Sequence, residues 1–345
     1  MNVQQFDASS VKLRYTAVKS NNLKLGCAVY IVPFSGDKIN LKLFSIWCKI
    51  ERENDRKDSD SLDRKALALE GGSLRCLFTA GVTDLMMEEG LRWDGVFGVS
   101  AGALTGVNIV SEQKGRTAAV NLGYVNDPRY MGLRSLVLHR SIFNFDFLFG
   151  ELSDSLLPLD REAFLHSPCE YTAVATSCLT GQVKYYEKSR VKDVYAAIRA
   201  SASLPLLAPM VDVDGEPCLD GGLSVSVPYQ KPLDEGYGKV VVVTTREHGY
   251  RKEPVSRIAA RAYARAYRRY PELVRSILNV PRHYNAEMDE IDRLEAQGKI
   301  FVIRPAEPVT VSRTEKDVAK LQALYDQGQA VCRKALPKLK AYLEG

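Results

Sequence analysis

Apolar positions fall into a regular rhythm from Lys65 onward. The run Ala66 to Leu69 is followed by glycines and then by Leu74, Leu77, Phe78, Val82, Leu85 and Met86 at helical spacing, ending at Gly90. This pattern predicts a strand, a tight turn and a helix. Gly95 to Val99 reads as a second strand and Ala101 to Glu112 as a second helix, with only Ser100 between them. Two such units in succession predict a parallel sheet. Farther on, Glu170 to Cys178 and Gln182 to Glu187 read as a hairpin, and Val191 to Ala202 reads as a helix broken by Pro205. Lys239 to Thr245 is nearly continuous valine, which suits a parallel strand covered on both faces. Residues 254–297 read as helical, Lys299 to Arg304 as a last strand, and Thr314 to Leu343 as a long helical segment.

The first 62 residues have a different texture. Val29, Ile31, Leu41 and Leu43 alternate well enough for a hairpin between Leu25 and Trp47, and the polar run Glu51 to Asp63 reads as a linker. Hydrophobic residues at 46% and charged residues at 26% exclude a mostly disordered, collagenous or multi-span membrane chain. A net charge of +5 without a Lys/Arg-rich arm gives no reason to expect nucleic acid. Seven scattered cysteines include no C-x-x-C pair, which favours a reducing, cytoplasmic compartment. The most apolar early stretch, Leu25 to Phe34, is too short to span a bilayer and has no small-x-small cleavage pattern.

Three short motifs carry the candidate chemistry. Gly98-Val99-Ser100-Ala101-Gly102 matches G-x-S-x-G, a strand-to-helix turn that presents a serine oxygen at the positive end of a helix. The flanking strand and helix signals give this otherwise weak motif its meaning. Glu70-Gly71-Gly72-Ser73-Leu74-Arg75 closes the first strand, and its small residues leave N–H groups free to converge on an anion or an oxyanion. The P-loop Lys-Ser/Thr and the G-x-G-x-x-G spacing are both absent, so nucleotide binding is the minor reading. Leu219-Asp220-Gly221-Gly222 sets an aspartate at a strand end. A histidine following Asp220 could come only from His248 or His283, and both sit in polar surroundings that read as solvated.

Glycine loop, G-x-S-x-G and D-G-G, in that order, resemble the patatin-like phospholipase family over roughly residues 65–305, as does Ala200-Ser201-Ala202-Ser203-Leu204-Pro205. The resemblance implies an α/β fold with a central, mostly parallel sheet between helical layers, similar to cytosolic phospholipase catalytic domains. It also implies a serine acyl hydrolase without histidine, metal or cofactor. By position, Ser100 corresponds to the nucleophile, Asp220 to its base, Gly71, Gly72 and Ser73 to the oxyanion loop, and Arg75 to the residue bracing that loop. Ser73 stands where a third glycine is usual, Cys76 where glycine is common, and Val225 where an aspartate is frequent. The expected organisation is an extension (1–64), the acyl hydrolase domain (65–305) and a C-terminal helical segment packed on it (306–345). The expected substrate is a fatty acyl ester of phospholipid or lysophospholipid type. A lipid- or partner-binding protein on a degenerate scaffold, or an acyltransferase or thioesterase, remains the alternative.

One segment concentrates the charge. From Arg251 to Arg282 nine basic residues face only Glu253 and Glu272. On a continuous helix Arg257, Arg261, Arg265 and Arg268 would share a face, with Tyr263, Tyr267 and Tyr270 interleaved, which suits peripheral contact with an anionic membrane surface. The competing expectation is a solvated helix whose tyrosines pack on the sheet.

Overall fold

The computed structural model describes residues 63–345 and three strands of the preceding segment, β1 (Gln5–Ala8), β2 (Val11–Thr16) and β3 (Ala28–Tyr30). Residues 1–59 and 60–345 form two compact units. In the first, β1, β2 and β3 pair antiparallel in that order. The polar run Glu51 to Leu62 and most of the Leu25 to Trp47 stretch lie outside the described residues.

The second unit is built on an eight-stranded sheet: β4 (Lys65–Leu69), β5 (Gly95–Val99), β6 (Glu170–Ser177), β7 (Val183–Glu187), β8 (Val211–Val213), β9 (Glu216–Asp220), β10 (Lys239–Val243) and β11 (Phe301–Ile303). The order is β11-β10-β4-β5-β6-β9-β8, with β7 also paired to β6. β11, β10, β4, β5 and β6 run parallel, while β7 and β9 join β6 antiparallel. The mostly parallel sheet between helices is the fold class that the βα rhythm predicts.

Strand alternation sends neighbouring residues to different layers. Leu67 and Leu69 of β4 and Val241 and Val243 of β10 join Leu77, Phe78 and Val82 on one face. Ala66, Ala68, Val240 and Val242 join Tyr284, Met288 and Ile291 on the other. The first layer contains α1 (Cys76–Glu88), α2 (Ala101–Val110), α3 (Arg116–Tyr124) and α4 (Val194–Ser201). The helical stretch expected across residues 254–297 forms two helices, α5 (Arg257–Ala266) and α6 (Pro271–Ala296). Pro271 disfavours helical geometry at Tyr270, which sits at φ −130° and ψ 67°. The C-terminal α7 (Val318–Glu344) returns to pack along α1.

Candidate active site

The parallel strand β5 ends at Val99, opposite Val174 of β6, so Ser100 emerges at the level of Ala175. The antiparallel strand β9 ends at Asp220, paired with Ala175 from the other side. Sheet register alone thus brings Ser100 and Asp220 to one point on β6. Ser100 has φ +55° and ψ −123°, a strained conformation for a side-chain-bearing residue. Its N–H donates to Ser201 Oγ at 2.9 Å, and the residue is only 8% exposed. This bond gives the Ala200 to Pro205 segment a physical role.

Asp220 is 3% exposed and held on several sides. Its N–H donates to the Ser203 carbonyl at 2.8 Å, Thr176 Oγ1 donates to its carbonyl at 2.9 Å, and its Oδ1 accepts from the Gly222 N–H at 2.8 Å. Oδ2 has no hydrogen-bond partner among the described residues. Burial pushes the carboxyl up to about 6, against the opposing influence of the Ser100 hydroxyl, the Gly222 N–H and the more distant Arg313 and Lys252. A carboxylate with that pKa is an effective base at neutral pH.

The glycine loop passes directly beside the serine. A side chain on Gly71 would place its Cβ 3.0 Å from Ser100 Cβ, so anything larger than glycine would crowd the serine. Gly71 differs from its expected part, because its N–H is turned to the Ser226 carbonyl at 3.4 Å. The Gly72 and Ser73 N–H groups donate to no acceptor among the described residues. Ser73 adopts φ +49°, which explains why glycine suits its position. Arg75 also departs from expectation: its side chain makes no hydrogen bond to the loop, and its buried Nε is without a partner among the described residues. Arg75 is instead among the residues that line a cleft.

Two cavities meet at the serine, and Ser73, Ser100 and Leu204 line both. One is a narrow apolar slot of about 70 Å³ walled by Leu74, Leu104, Val107, Phe145, Leu148 and Phe149. The other is a polar cleft of about 410 Å³ lined beside the serine by Asp220, Arg75, Arg246, Lys252 and Arg313. The slot was absent from the sequence reading, although the aromatic cluster Phe143, Phe145, Phe147 and Phe149 is a signal that could have pointed to it. The cleft's basic residues are spread over distant segments and give no local signal.

The histidines stand apart from both cavities. His248 is exposed and lies 3.5 Å from Asp292, and His283 is exposed on α6. Among the described residues no group of three His, Cys, Asp or Glu side chains has a metal-binding arrangement. The basic face is smaller than expected. Arg257, Arg261 and Arg265 are exposed on α5, but Arg268 lies beyond its end. Tyr267 is buried, with its hydroxyl accepting the Leu206 N–H at 2.8 Å, and Tyr263 and Tyr270 pack on the same cluster as Leu219 and Leu223. The tyrosines therefore serve the core beneath the cleft, because aromatic area gains more from burial there than from an aqueous face. No helix among the described residues is long and apolar enough to cross a membrane.

Residues 67–232 match the model of the patatin-like phospholipases. Residues 270–344 match a second family, Domain of unknown function (DUF6363). The chain is 28% identical over 186 residues to the uncharacterised protein YjjU of Escherichia coli (strain K12), covering 53% of this chain and 52% of that protein. It is also 28% identical over 173 residues to the uncharacterised NTE family protein Rv1063c of Mycobacterium tuberculosis, covering 50% of this chain and 46% of that protein. The chain therefore spans about half the length of the curated relatives it matches. Among crystal structures, VipD from Legionella pneumophila aligns over 79% of this chain and 67% of its own, at 15% identity and a TM-score of 0.42.

Proposed function

We propose that the protein is a lipid acyl hydrolase that cleaves fatty acyl esters through a covalent acyl-enzyme on Ser100. As Ser100 Oγ attacks the carbonyl carbon, its proton passes to Asp220. The Gly72 and Ser73 N–H groups stabilise the oxyanion, and the apolar slot holds the acyl chain. On collapse the ester C–O bond breaks and Asp220 returns the proton to the leaving alcohol. Water then gives a proton to Asp220 as its oxygen attacks the acyl carbon, and on collapse the bond from that carbon to Ser100 Oγ breaks while Asp220 returns the proton to Oγ, freeing the acid.

The observation that carries this reading is the convergence of Ser100 with a buried Asp220, whose Oδ2 is unpartnered among the described residues, at the mouth of an apolar slot. Labelling with a serine-directed fluorophosphonate should modify the wild type at Ser100 and leave Ser100→Ala unmodified. Hydrolysis of esters of graded chain length should fall by at least about a thousandfold in both Ser100→Ala and Asp220→Asn. Turnover that survives in Asp220→Asn but is lost in His248→Ala would replace the dyad with a triad.

The basic face of α5 fits peripheral contact with anionic headgroups, because Arg257, Arg261 and Arg265 are exposed on the helix whose Ala259 and Tyr263 line the cleft. Ile258, 81% exposed beside them, offers an apolar side chain to the interface.

A further inference from the structure

The polar cleft is populated by cations that the proposed dyad does not use. Arg75, Arg246, Lys252 and Arg313 all line it, and none forms an ion pair within 4 Å among the described residues, although many of the chain's other basic residues do. Arg75 is 9% exposed, and its Nε has no partner among the described residues, an expensive arrangement for a guanidinium. Burial and the neighbouring Arg246 and Arg313 lower its pKa, with Glu70 working the other way. Lys252 is brought down to about 8, mainly by burial, with Glu70 and Glu287 opposing and Arg313 and Arg75 adding to the fall.

The carboxylates around these cations are largely committed elsewhere. Glu70 accepts the Thr245 N–H, and Glu287 accepts the Ser226 N–H at 3.1 Å. Asp220 belongs to the dyad, which leaves the exposed Glu253 on the cleft wall. The aromatic faces are also taken: Arg246 covers Tyr250 at 4.4 Å, and Lys252 covers Tyr284 at 3.9 Å. A quaternary ammonium would meet like charge and find these two rings occupied. With an acyl chain in the slot and its carbonyl at Ser100, the alcohol half of the ester falls in the cleft.

Resting on the hydrolase reading above, we propose that the substrate is an acyl ester whose alcohol half carries a phosphomonoester, bound by Arg75, Arg246, Lys252 and Arg313. Guanidinium groups match phosphate oxygens in geometry as well as charge. Three of these four cations lie past the patatin-like match, which ends at residue 232, and Arg313 lies within the 270–344 match. α6 also fixes Lys252, since Asn285 Oδ1 accepts its N–H at 2.8 Å and Asn285 Nδ2 donates to its carbonyl at 3.1 Å. The 270–344 segment thereby contributes Arg313 and the support of Lys252 to a site whose dyad lies within 67–232.

Two measurements on the full chain test this. In the first, kcat/KM is compared for 1-acylglycerol 3-phosphate, 1-acylglycerophosphocholine and 1-monoacylglycerol of one chain length. The phosphomonoester should be preferred by at least about tenfold, and Arg313→Gln and Lys252→Gln should each reduce that preference by about tenfold. Equal rates on all three, or a preference unaffected by either variant, would overturn the proposal. In the second, Ser100→Ala protein is melted with glycerol 3-phosphate or inorganic phosphate. Stabilisation by either ligand should disappear when Arg313→Gln is added; no stabilisation, or one that persists, counts against the anion site. Stabilisation by glycerol 3-phosphate alone assigns the site to an ester headgroup, whereas equal stabilisation by inorganic phosphate extends it to the free ion. A phosphate-dependent shift in a protein whose wild type neither labels at Ser100 nor hydrolyses any ester would uphold the anion site and remove the hydrolase reading.

Discussion

At the residue scale, Asp220 concentrates a conflict between stability and chemistry. Its carboxyl, raised by burial to about 6, stands above the usual value near 3.8. The folded state therefore binds the proton more tightly than the unfolded chain does, and this contribution to stability is present below about pH 4 and lost as the pH rises through about 6. Above that value the ionised group costs up to about 2–3 kcal/mol. Asp220→Asn can keep the bond from the Gly222 N–H through its amide oxygen and carries no charge. It should consequently melt at or above the wild-type temperature at pH 8 while losing hydrolysis, and a clearly lower melting temperature would contradict this account. In the wild type, kcat/KM should rise with pH through about 6 and then level, because only the carboxylate accepts the Ser100 proton. A pH–rate profile that is flat from pH 4 to 8 would remove Asp220 as the base. Ser100, Asp220 and the glycine loop were legible at this scale because each sits in a motif whose spacing is local. That the Gly71 N–H turns to Ser226, leaving Gly72 and Ser73 as donors, depended on a partner 155 positions away in sequence.

At the element scale, the position of the glycine loop depends on α1, the helix into which it leads. α1 is clamped by α7 where Gly81 faces the Tyr325 carbonyl and Gly328 faces the Phe78 carbonyl. Backbones approach so closely that no Cβ fits at either position. Tyr325 adds a hydroxyl bond to Asp84 Oδ2 at 2.9 Å, and Asp84 Oδ1 accepts the Gly115 N–H at 2.9 Å. Gly81→Val should cost about 3 kcal/mol or more by forcing the helices apart, and should lower esterase activity with it, because the loop leads directly into α1. An unchanged melting temperature would show that the crossing yields without cost. The strand and helix rhythm of β4, α1, β5, α2, β6, β7 and β10 was readable from hydrophobic spacing. The stretch from α3 to the helix Arg161–His166 was not, since its short elements are irregular and the span Leu148–Leu156 is broken at Gly150. Those same elements supply much of the apolar slot.

At the scale of the whole molecule, charge is distributed by role. The basic excess between Arg251 and Arg282 divides on folding: Lys252 turns into the cleft, Arg251 pairs with Asp289 at 2.5 Å, and Arg257, Arg261 and Arg265 stay exposed on α5. The exposed three set the prediction for membrane contact. Vesicles containing anionic lipid should co-sediment the wild type at low salt, and changing Arg257, Arg261 and Arg265 together to Gln should release most of it, at about 1 kcal/mol per basic residue near the surface. Equal sedimentation of both proteins, or of neither, would leave the site to monomeric or micellar esters.

The sequence by itself determined much of the order of strands and helices, the first βα turns, the serine at the elbow and the aspartate at a strand end. Each of these follows from short-range rules: side-chain period, glycine at tight turns and small residues at a helix entry. Only the tertiary structure decided which distant groups meet. β6 sets Ser100 and Asp220 at one level, burial raises the Asp220 pKa, and Arg75, Arg246, Lys252 and Arg313 converge from widely separated positions on one cleft. Burial and convergence are sums over many long-range contacts, and no local window of the chain contains them.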